Sequence, residues 1–195
     1  MSRKAGIKRK TKETDIEVSL DLDGSGSSEV KTPVNFFNHM LECLSKHSGI
    51  DIKVKAEGDV EIDTHHTVED VGICLGRALE KALGDKKGIE RMGYFIVPMD
   101  EAAATVAVDI GGRPYANVEI RFSDFTDRRI GDIDKQDVEE FLTALAANAK
   151  MNIYVKAEGR NDHHIIESVF KALAKALKGA IKVTGKDVPS TKGSI

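Results

Sequence analysis

The sequence predicts an α+β fold built from two duplicated half-domains, with helices packed between sheets. The first observation is that the motif His-His-x-x-Glu occurs twice, within residues 63–69 and 161–167. The second is that the pentapeptide Val-Lys-Ala-Glu-Gly precedes each copy, at 54–58 and 155–159. The third is that alternating and helical apolar patterns follow the same order in both halves. A period of about 100 residues is too long for a solenoid and fits duplication of a half-domain.

The first half begins with extended segments at roughly 7–12 and 15–22, where apolar and polar residues alternate. A glycine- and serine-rich turn signal follows at 23–27. Apolar residues at helical spacing then predict a helix at roughly 34–47. The pentapeptide supplies the next strand, and the His-His-x-x-Glu unit starts a second helix.

The second half repeats this order. Extended segments are predicted at roughly 94–110, with a break near Pro98, and at 114–122, before a helix at 135–149. Each half thus reads strand, strand, helix, strand, helix. We expect one compact domain, residues 1–195, whose repeats span about 1–90 and 91–195.

The second helix of each half carries an apolar face, because its apolar residues recur at i, i+4, i+7 and i+8. These residues are Val71, Leu75, Ala78 and Leu79 in the first half, and Val169, Leu173, Ala176 and Leu177 in the second. Such helices can cover one face of a mostly antiparallel sheet. We therefore expect the helices of the two halves to be buried against each other.

The composition is that of a soluble globular chain. The 195 residues are 41% hydrophobic and 31% charged, with a net charge of −3, and no apolar run approaches the ~20 residues of a membrane span. Cys43 and Cys74 lie in apolar helical patterns outside any CxxC motif, so we expect two buried thiols in a reducing cytoplasm. The basic N-terminus could bind nucleic acid, but a solvated edge strand is the preferred interpretation at this net charge. We expect neither a membrane nor a nucleic-acid partner.

The two His-His-x-x-Glu units predict a catalyst with two metal sites. Adjacent helical residues point ~100° apart, so His65 and His66 cannot easily chelate one ion, while Glu69 lies one turn from either. Each unit should therefore send its histidines toward different ions, with ligands drawn from both halves or from neighbouring subunits. The second unit offers His163, His164 and Glu167. Imidazole and carboxylate without thiolate favour Mn, Fe, Zn or Ni. The alternative is that the paired residues merely cap helix starts.

His39 is a further ligand candidate on the preceding helix. The repeat pairs it with Glu140, and a glutamate can replace a histidine as a ligand while adding negative charge. Alternatively, Glu140 is a surface residue of the acidic run 137–140. His47 lies two turns beyond His39 and either faces the same cavity or lies exposed at the helix end.

With these motifs the chain resembles the imidazoleglycerol-phosphate dehydratases over essentially its full length. The matching segments are residues 9–14, 36–41, 63–70, 88–91, 98–102, 112–114, 159–164 with Glu167, 170–172 and 189–193. They include Phe-Phe-Asn-His-Met-Leu and Asp-Thr-His-His-Thr-Val-Glu-Asp. One departure is Glu140, which stands where the family usually carries a second histidine of the His39 kind. This departure affects the ligand set of one metal and does not affect the activity class.

The resemblance implies a ribosomal-protein-S5-domain-2-like fold and a 24-subunit homo-oligomer with two divalent ions per subunit, Mn²⁺, at subunit contacts. It also implies dehydration of imidazole glycerol phosphate to imidazole acetol phosphate in histidine biosynthesis. In this reaction two metals bind the ring nitrogens and favour the imidazolate. That anion expels hydroxide and gives a diazafulvene-like intermediate whose neighbouring C–H is acidic.

Glu13 is the expected acid/base, and Glu101 is its repeat equivalent. A carboxylate near two cations stays ionised, as a base must, although a glutamate on a strand can also be a plain surface residue. Glu13, His39 and His47 are expected to contact the substrate. The family-matched candidates for its phosphate are Arg91, Arg113, Lys171, Ser190, Thr191 and Lys192.

Two other functions stay open from the residues. A metal hydrolase using bound hydroxide would need a metal position open to water. A non-catalytic metal store or structural oligomer would not need the arginines or the Ser-Thr-Lys tail.

Overall fold

The computed structural model describes residues 3–123 and 127–195, and its two halves repeat one order of elements. The first half consists of β1 (Lys4–Lys10), β2 (Thr14–Asp21), β3 (Ser28–Lys31), α1 (Asn35–Ser48), β4 (Asp51–Gly58) and α2 (His65–Leu83). The second half consists of β5 (Met92–Met99), β6 (Ala102–Asp109), β7 (Tyr115–Arg121), β8 (Arg129–Ile130), β9 (Ile133–Asp134), α3 (Lys135–Ala149), β10 (Asn152–Glu158) and α4 (Asp162–Ala180). β8 and β9 form a separate two-stranded ribbon.

Each half contributes a four-stranded sheet, in the orders β1-β2-β4-β3 and β5-β6-β10-β7. The β3–β4 and β7–β10 pairs are parallel, and the other pairs of the two sheets are antiparallel. The predicted order of elements leaves out a third strand before the first helix. In the first half this strand, β3, has only four residues, too few to display an alternating pattern.

The predicted break near Pro98 is displaced. Pro98 lies inside β5, and the chain reverses two residues later, at Asp100 and Glu101. β5 is the edge strand of its sheet, so a residue without an N–H donor is tolerated there.

The four helices of the described residues lie between the two sheets, which confirms the predicted class. α2 packs on β1 and β2, α4 packs on β5 and β6, and the helices pair as α2 with α3 and α1 with α4. The apolar faces predicted for α2 and α4 are fully or almost fully buried. None of the described helices is long and apolar enough to cross a membrane.

Aromatic rings and a close helix contact join the two halves. Phe141 meets Phe37 edge-on at 5.3 Å and stacks on Phe170 at 5.4 Å, between ring centroids. A Cβ at Gly76 on α2 would lie 2.7 Å from the Leu145 carbonyl oxygen on α3, so only glycine permits this approach. The assignment of the whole chain to one domain stays a prediction.

All four helices begin at one end of the molecule, which we call the helix-start end. Three contacts join them: Asp132 accepts from the Asn35 N–H at 2.6 Å, Thr64 donates to Asp137, and Lys135 pairs with Asp162 at 2.5 Å. Helix N-termini carry free N–H groups and partial positive charge, which carboxylates satisfy. Both His-His-x-x-Glu units, at the starts of α2 and α4, therefore lie at this end.

Candidate active site

The clearest ligand set lies between α1 and α4, and we call His39, His163, Glu167 and Lys171 the α4 cluster. Glu167 Oε2 lies 3.0 Å from His163 Nε2 and 3.2 Å from His39 Nε2. Its other oxygen, Oε1, pairs with Lys171 Nζ at 2.6 Å. Burial favours a raised pKa for Glu167, but hydrogen bonds from Lys171 and the two imidazoles outweigh it and lower the pKa to about 2. Glu167 is thus an anionic carboxylate that two imidazoles approach.

Local sequence explains how these groups are held. The Asn161 side chain caps α4 by accepting from the N–H groups of His163 and His164, at 3.0 and 3.4 Å. The spacing His163, Glu167, Lys171 then stacks three side chains one turn apart. The Phe36 ring packs edge-on against the His163 ring at 5.1 Å, which restricts its orientation.

Two more α1 side chains border this cluster. Cys43 and His47 follow His39 at intervals of four residues, so they share its helix face. Donor atoms of His39, Cys43 and Glu167 lie within 4.8 Å of one another. Burial raises the pKa of the Cys43 thiol to about 11, and burial followed by Lys171 lowers the pKa of His47. Cys43 was expected to be buried, but it is only half-buried, whereas Cys74 is buried as predicted.

The corresponding set in the other half lies between α2 and α3, and we call His65, Glu69 and Asp137 the α2 cluster. His65 Nε2 lies 3.9 Å from Glu69 Oε2, and His65 Nδ1 lies 3.6 Å from Asp137 Oδ1. Burial raises the pKa of Asp137, against a hydrogen bond from Thr64. Sequence reasoning missed Asp137, although it lies in the acidic run singled out around Glu140.

Glu140 is half-exposed and makes no ion pair or side-chain hydrogen bond with any described residue. It lies one turn beyond Asp137 on α3, as Glu69 lies one turn beyond His65 on α2. Because α2 and α3 pack together and both begin at the helix-start end, Glu69 and Glu140 lie at similar positions along the two helices.

The second histidine of each pair turns away from the first. Ring centroids are 6.0 Å apart for His65 and His66 and 6.1 Å apart for His163 and His164, with the rings 75° and 86° out of plane. His66 Nδ1 lies 3.1 Å from Asp59 Oδ2. A carboxylate at Nδ1 fixes the ring and leaves Nε2 as the ligand atom.

His164 is held in the same way, since its Nδ1 lies 3.0 Å from Glu101 Oε2, and this hydrogen bond lowers the pKa of Glu101. The other oxygen of Glu101, Oε1, is buried without a hydrogen-bond partner among the described residues. Neither Asp59 nor Glu101 was predicted as a histidine partner, although Asp59 directly follows the repeated pentapeptide.

Glu13 lies at the helix-start end, on the turn between β1 and β2. Its carbonyl accepts from the Asp59 N–H at 3.2 Å, and its side chain is exposed. The Asp59 hydrogen bond raises the pKa of His66, and the charge of Glu13 adds to this rise. The Glu13 carboxylate is therefore close enough to act electrostatically on a candidate ligand.

Most phosphate-binding candidates lie at the opposite end. The Arg91 backbone N–H donates to Ala180 at the end of α4, whereas His163 lies at its start. At 1.5 Å per residue, the 17 residues from His163 to Ala180 separate these two points by about 26 Å. Lys171 is the one phosphate candidate that belongs to the α4 cluster.

Arg91 and the C-terminal tail form one neighbourhood at that end. The Arg91 guanidinium binds both oxygens of Asp109, at 2.6 and 3.0 Å, and donates to the Pro189 carbonyl at 3.0 Å. In the tail the Lys192 N–H donates to Ser190 Oγ at 3.2 Å, and Thr191 lies exposed between them. Arg113 is exposed on the following turn, where a Cβ at Gly111 would meet the Arg91 side chain at 3.0 Å.

The donor sets fit divalent transition metals. The α4 cluster offers two imidazoles and an ionised carboxylate, and the α2 cluster offers one imidazole with carboxylates. First-row divalent cations such as Mn²⁺, Fe²⁺ and Zn²⁺ take this mixture of nitrogen and oxygen ligands.

Comparison with known proteins points to one family. A family model described as imidazoleglycerol-phosphate dehydratase matches residues 32–177. The chain is 50% identical over 187 residues to the imidazoleglycerol-phosphate dehydratase of Methanothermobacter thermautotrophicus, covering 96% of this chain and 95% of the relative. It is 50% identical over 196 residues to that of Bacillus subtilis, with 99% and 100% covered.

Solved structures agree. The crystal structure of imidazoleglycerol-phosphate dehydratase from Staphylococcus aureus subsp. aureus aligns with a TM-score of 0.82 at 36% identity, covering 93% of this chain and 99% of that one. The crystal structure from Pyrococcus furiosus aligns with a TM-score of 0.83 at 37% identity, covering 97% and 100%.

Proposed function

Because the chain belongs to the imidazoleglycerol-phosphate dehydratase family, we propose that it dehydrates imidazole glycerol phosphate in a metal-dependent reaction. Membership makes it a hydro-lyase of histidine biosynthesis. The observation that carries metal dependence is the approach of His39 and His163 Nε2 to one ionised carboxylate of Glu167. We also propose a cytoplasmic location, which the two free thiols support.

We propose two divalent ions per subunit, Mn²⁺ in the native protein. His39, His163 and Glu167 would hold one, and His65, Glu69 and Glu140 would hold the other. His66 and His164 are held at Nδ1 by carboxylates, which leaves Nε2 as the atom that can complete a site. His164 Nε2 lies 3.9 Å from Asp100 Oδ2. A bound divalent cation supplies a Lewis acid for the imidazole ring nitrogens.

The protein's own groups have separate tasks in this scheme. Glu13 takes the proton from the substrate carbon, since its exposed carboxylate lies beside the second histidine of the α2 unit. Lys171 holds Glu167 ionised, and with His47 it lines the approach to the α4 cluster. Arg91, Arg113 and the tail with Ser190, Thr191 and Lys192 bind the phosphate.

This assignment requires more than one copy of the chain. Arg91, Arg113 and the tail lie near the end of α4, whereas His163 lies at its start, about 26 Å away, and the substrate is far shorter. A site that uses both sets must take them from different subunits. We therefore propose a homo-oligomer with shared active sites, and 24 subunits is the number the family resemblance implies.

One sheet face supports self-association. On the outer face of the second sheet, large apolar side chains are exposed: Met92 62%, Tyr94 79%, Ile96 60%, Tyr115 67% and Tyr154 43%. Together they expose roughly 600 Å², which is at the upper limit for the largest apolar patch of a typical monomer. The outer face of the first sheet instead carries ion pairs such as Lys8 with Glu17 and Lys53 with Glu29. The two halves thus share their fold but differ in this outer surface. The apolar surface of the second half fits contact with a second copy of the chain.

Tyr94→Lys should therefore dissociate the assembly and lower activity with it, because an unpaired charge would be buried at the contact. The matched control is Gly6→Lys in the first sheet. Gly6 pairs with Ser19 as Tyr94 pairs with Ala107, and a Cβ at Gly6 makes only ordinary contacts, the nearest at 3.6 Å. Sedimentation velocity measures the assembly. An intact assembly in Tyr94→Lys would rule out this face as the contact.

Glu140→Ala should remove the ion proposed at His65, Glu69 and Glu140, lowering metal content from two ions per subunit toward one. Glu139→Ala is the control, since neighbouring helical residues point ~100° apart and Glu139 is exposed. Glu140→His should retain both ions. Elemental analysis after dialysis measures occupancy, and equal occupancy in wild type and Glu140→Ala would make Glu140 a surface charge.

The function is tested by incubating the metal-stripped and Mn²⁺-loaded protein with imidazole glycerol phosphate. We expect the enol or ketone product from the loaded protein alone. Release of inorganic phosphate would instead indicate a hydrolase, and metal binding without any product would indicate a metal store. Equal turnover after stripping would refute metal dependence.

A further inference from the structure

We propose that Cys43 is a ligand of the α4 cluster for soft divalent cations, giving a centre of two imidazoles, one carboxylate and one thiolate. This inference rests on the proposed metal site and extends its chemistry. It assigns Zn²⁺, Cd²⁺ or Co²⁺ a sulfur ligand that Mn²⁺ would not prefer.

The distances between the donor atoms support a sulfur ligand. The donor atoms of His39, Cys43 and Glu167 already lie within 4.8 Å of one another, and His163 Nε2 lies 3.0 Å from Glu167 Oε2. Ligand atoms bound at 2.0–2.3 Å around a tetrahedral ion are about 3.5 Å apart. The remaining gap is of the size that side-chain torsions close without backbone movement.

The positions of these side chains on α1 and α4 also support a sulfur ligand. His39, Cys43 and His47 form one row on α1, and His163, Glu167 and Lys171 form another on α4. The two helices pack together, and Glu167 contacts the α1 row at His39. The Cys43 sulfur lies within 4.8 Å of a carboxylate oxygen of Glu167, so it faces α4.

The net charge of the site also favours a thiolate ligand. Coordination would break the Cys43 S–H bond, release the proton to water and form a bond from sulfur to the cation. The ion, Lys171 and the Glu167 carboxylate together would carry two net positive charges, and the Cys43 thiolate would lower that to one. A half-buried site favours this reduction, because uncompensated charge is costly away from water.

The duplication supplies an internal comparison. The offset that pairs His39 with Glu140 pairs Cys43 with Ala144 on α3. At the α3 positions equivalent to His39 and Cys43, the chain therefore carries the carboxylate Glu140 and the methyl group of Ala144, with neither imidazole nor sulfur. The α4 cluster is suited to softer ions, and the α2 cluster to harder ones.

The test is a Co²⁺ titration of the metal-free, assembled protein, followed by absorption. Wild type should show a near-ultraviolet thiolate-to-cobalt band, which Cys43→Ser should lose while still binding cobalt at the remaining ligands. Cys74→Ser, which removes the buried cysteine of α2, should keep the band. Competition between Cd²⁺ and Mn²⁺ should show at least a ~10-fold loss of cadmium preference in Cys43→Ser.

The cobalt titration distinguishes an error in the sulfur ligand from an error in the metal centre. Cobalt bound to wild type without a thiolate band, or a band that persists in Cys43→Ser, would overturn the sulfur ligand and leave the metal centre standing. Binding that is absent, or unchanged by His39→Ala, would overturn the metal centre and the inference together.

Discussion

His163→Ala is expected to abolish binding of the cation proposed at the α4 cluster and to lower turnover by at least ~100-fold, more than the loss of an outer partner of a ligand costs. His163 and His39 are the two imidazoles that reach Glu167, and Lys171 already binds its other oxygen. Without His163, the Lys171–Glu167 ion pair dominates the site and the carboxylate is less available to a cation. Metal analysis and steady-state kinetics measure the two losses.

The fold should survive this change. The cap of α4 uses the backbone N–H of His163, not its ring, and the side chain lies outside the apolar core. Lys178→Ala, on an exposed position of the same helix, is the control for a general effect on α4. Full metal content in His163→Ala, with unchanged turnover, would contradict the assignment of the α4 cluster.

Elements whose hydrophobic pattern is long were predicted well from the sequence. The helices expected at 34–47 and 135–149 are α1 (Asn35–Ser48) and α3 (Lys135–Ala149). β3 was missed, because four residues beside a turn carry no periodic signal. Its pairing is also non-local, since it lies parallel to β4 across an intervening helix.

The histidines and glutamates of the two clusters were selected from the sequence, and their contacts were predicted only in part. Helical spacing alone predicts that His65 and His66 diverge, and their rings do so. The partners Asp59, Asp137 and Glu101 depend on which turns and helices meet at the helix-start end. The separation of the arginines from the histidines likewise depends on strand and helix direction, which motif order does not contain.

The duplication bears on which carboxylate is the base. Glu101 is the repeat equivalent of Glu13, and it is occupied by holding His164 Nδ1 at 3.0 Å. In the first half Asp59 contacts His66 Nδ1 instead, at 3.1 Å, so Glu13 is not needed to hold this histidine. Glu13 is exposed and charged beside His66, as a group that takes a proton from substrate must be.

Glu13→Gln should accordingly lower turnover by at least ~10²-fold, the low end of what a positioned acid/base supplies, with little change in metal content or substrate affinity. Glutamine keeps the shape and hydrogen bonding of the side chain but cannot accept the proton. Glu101→Gln is the comparison, because loosening His164 should lower metal affinity about 10–100-fold and impair activity through the metal. Metal content therefore separates the two variants even where their rates are similar. A Glu13→Gln enzyme with near wild-type turnover would reject Glu13 and leave another carboxylate or water as the proton acceptor.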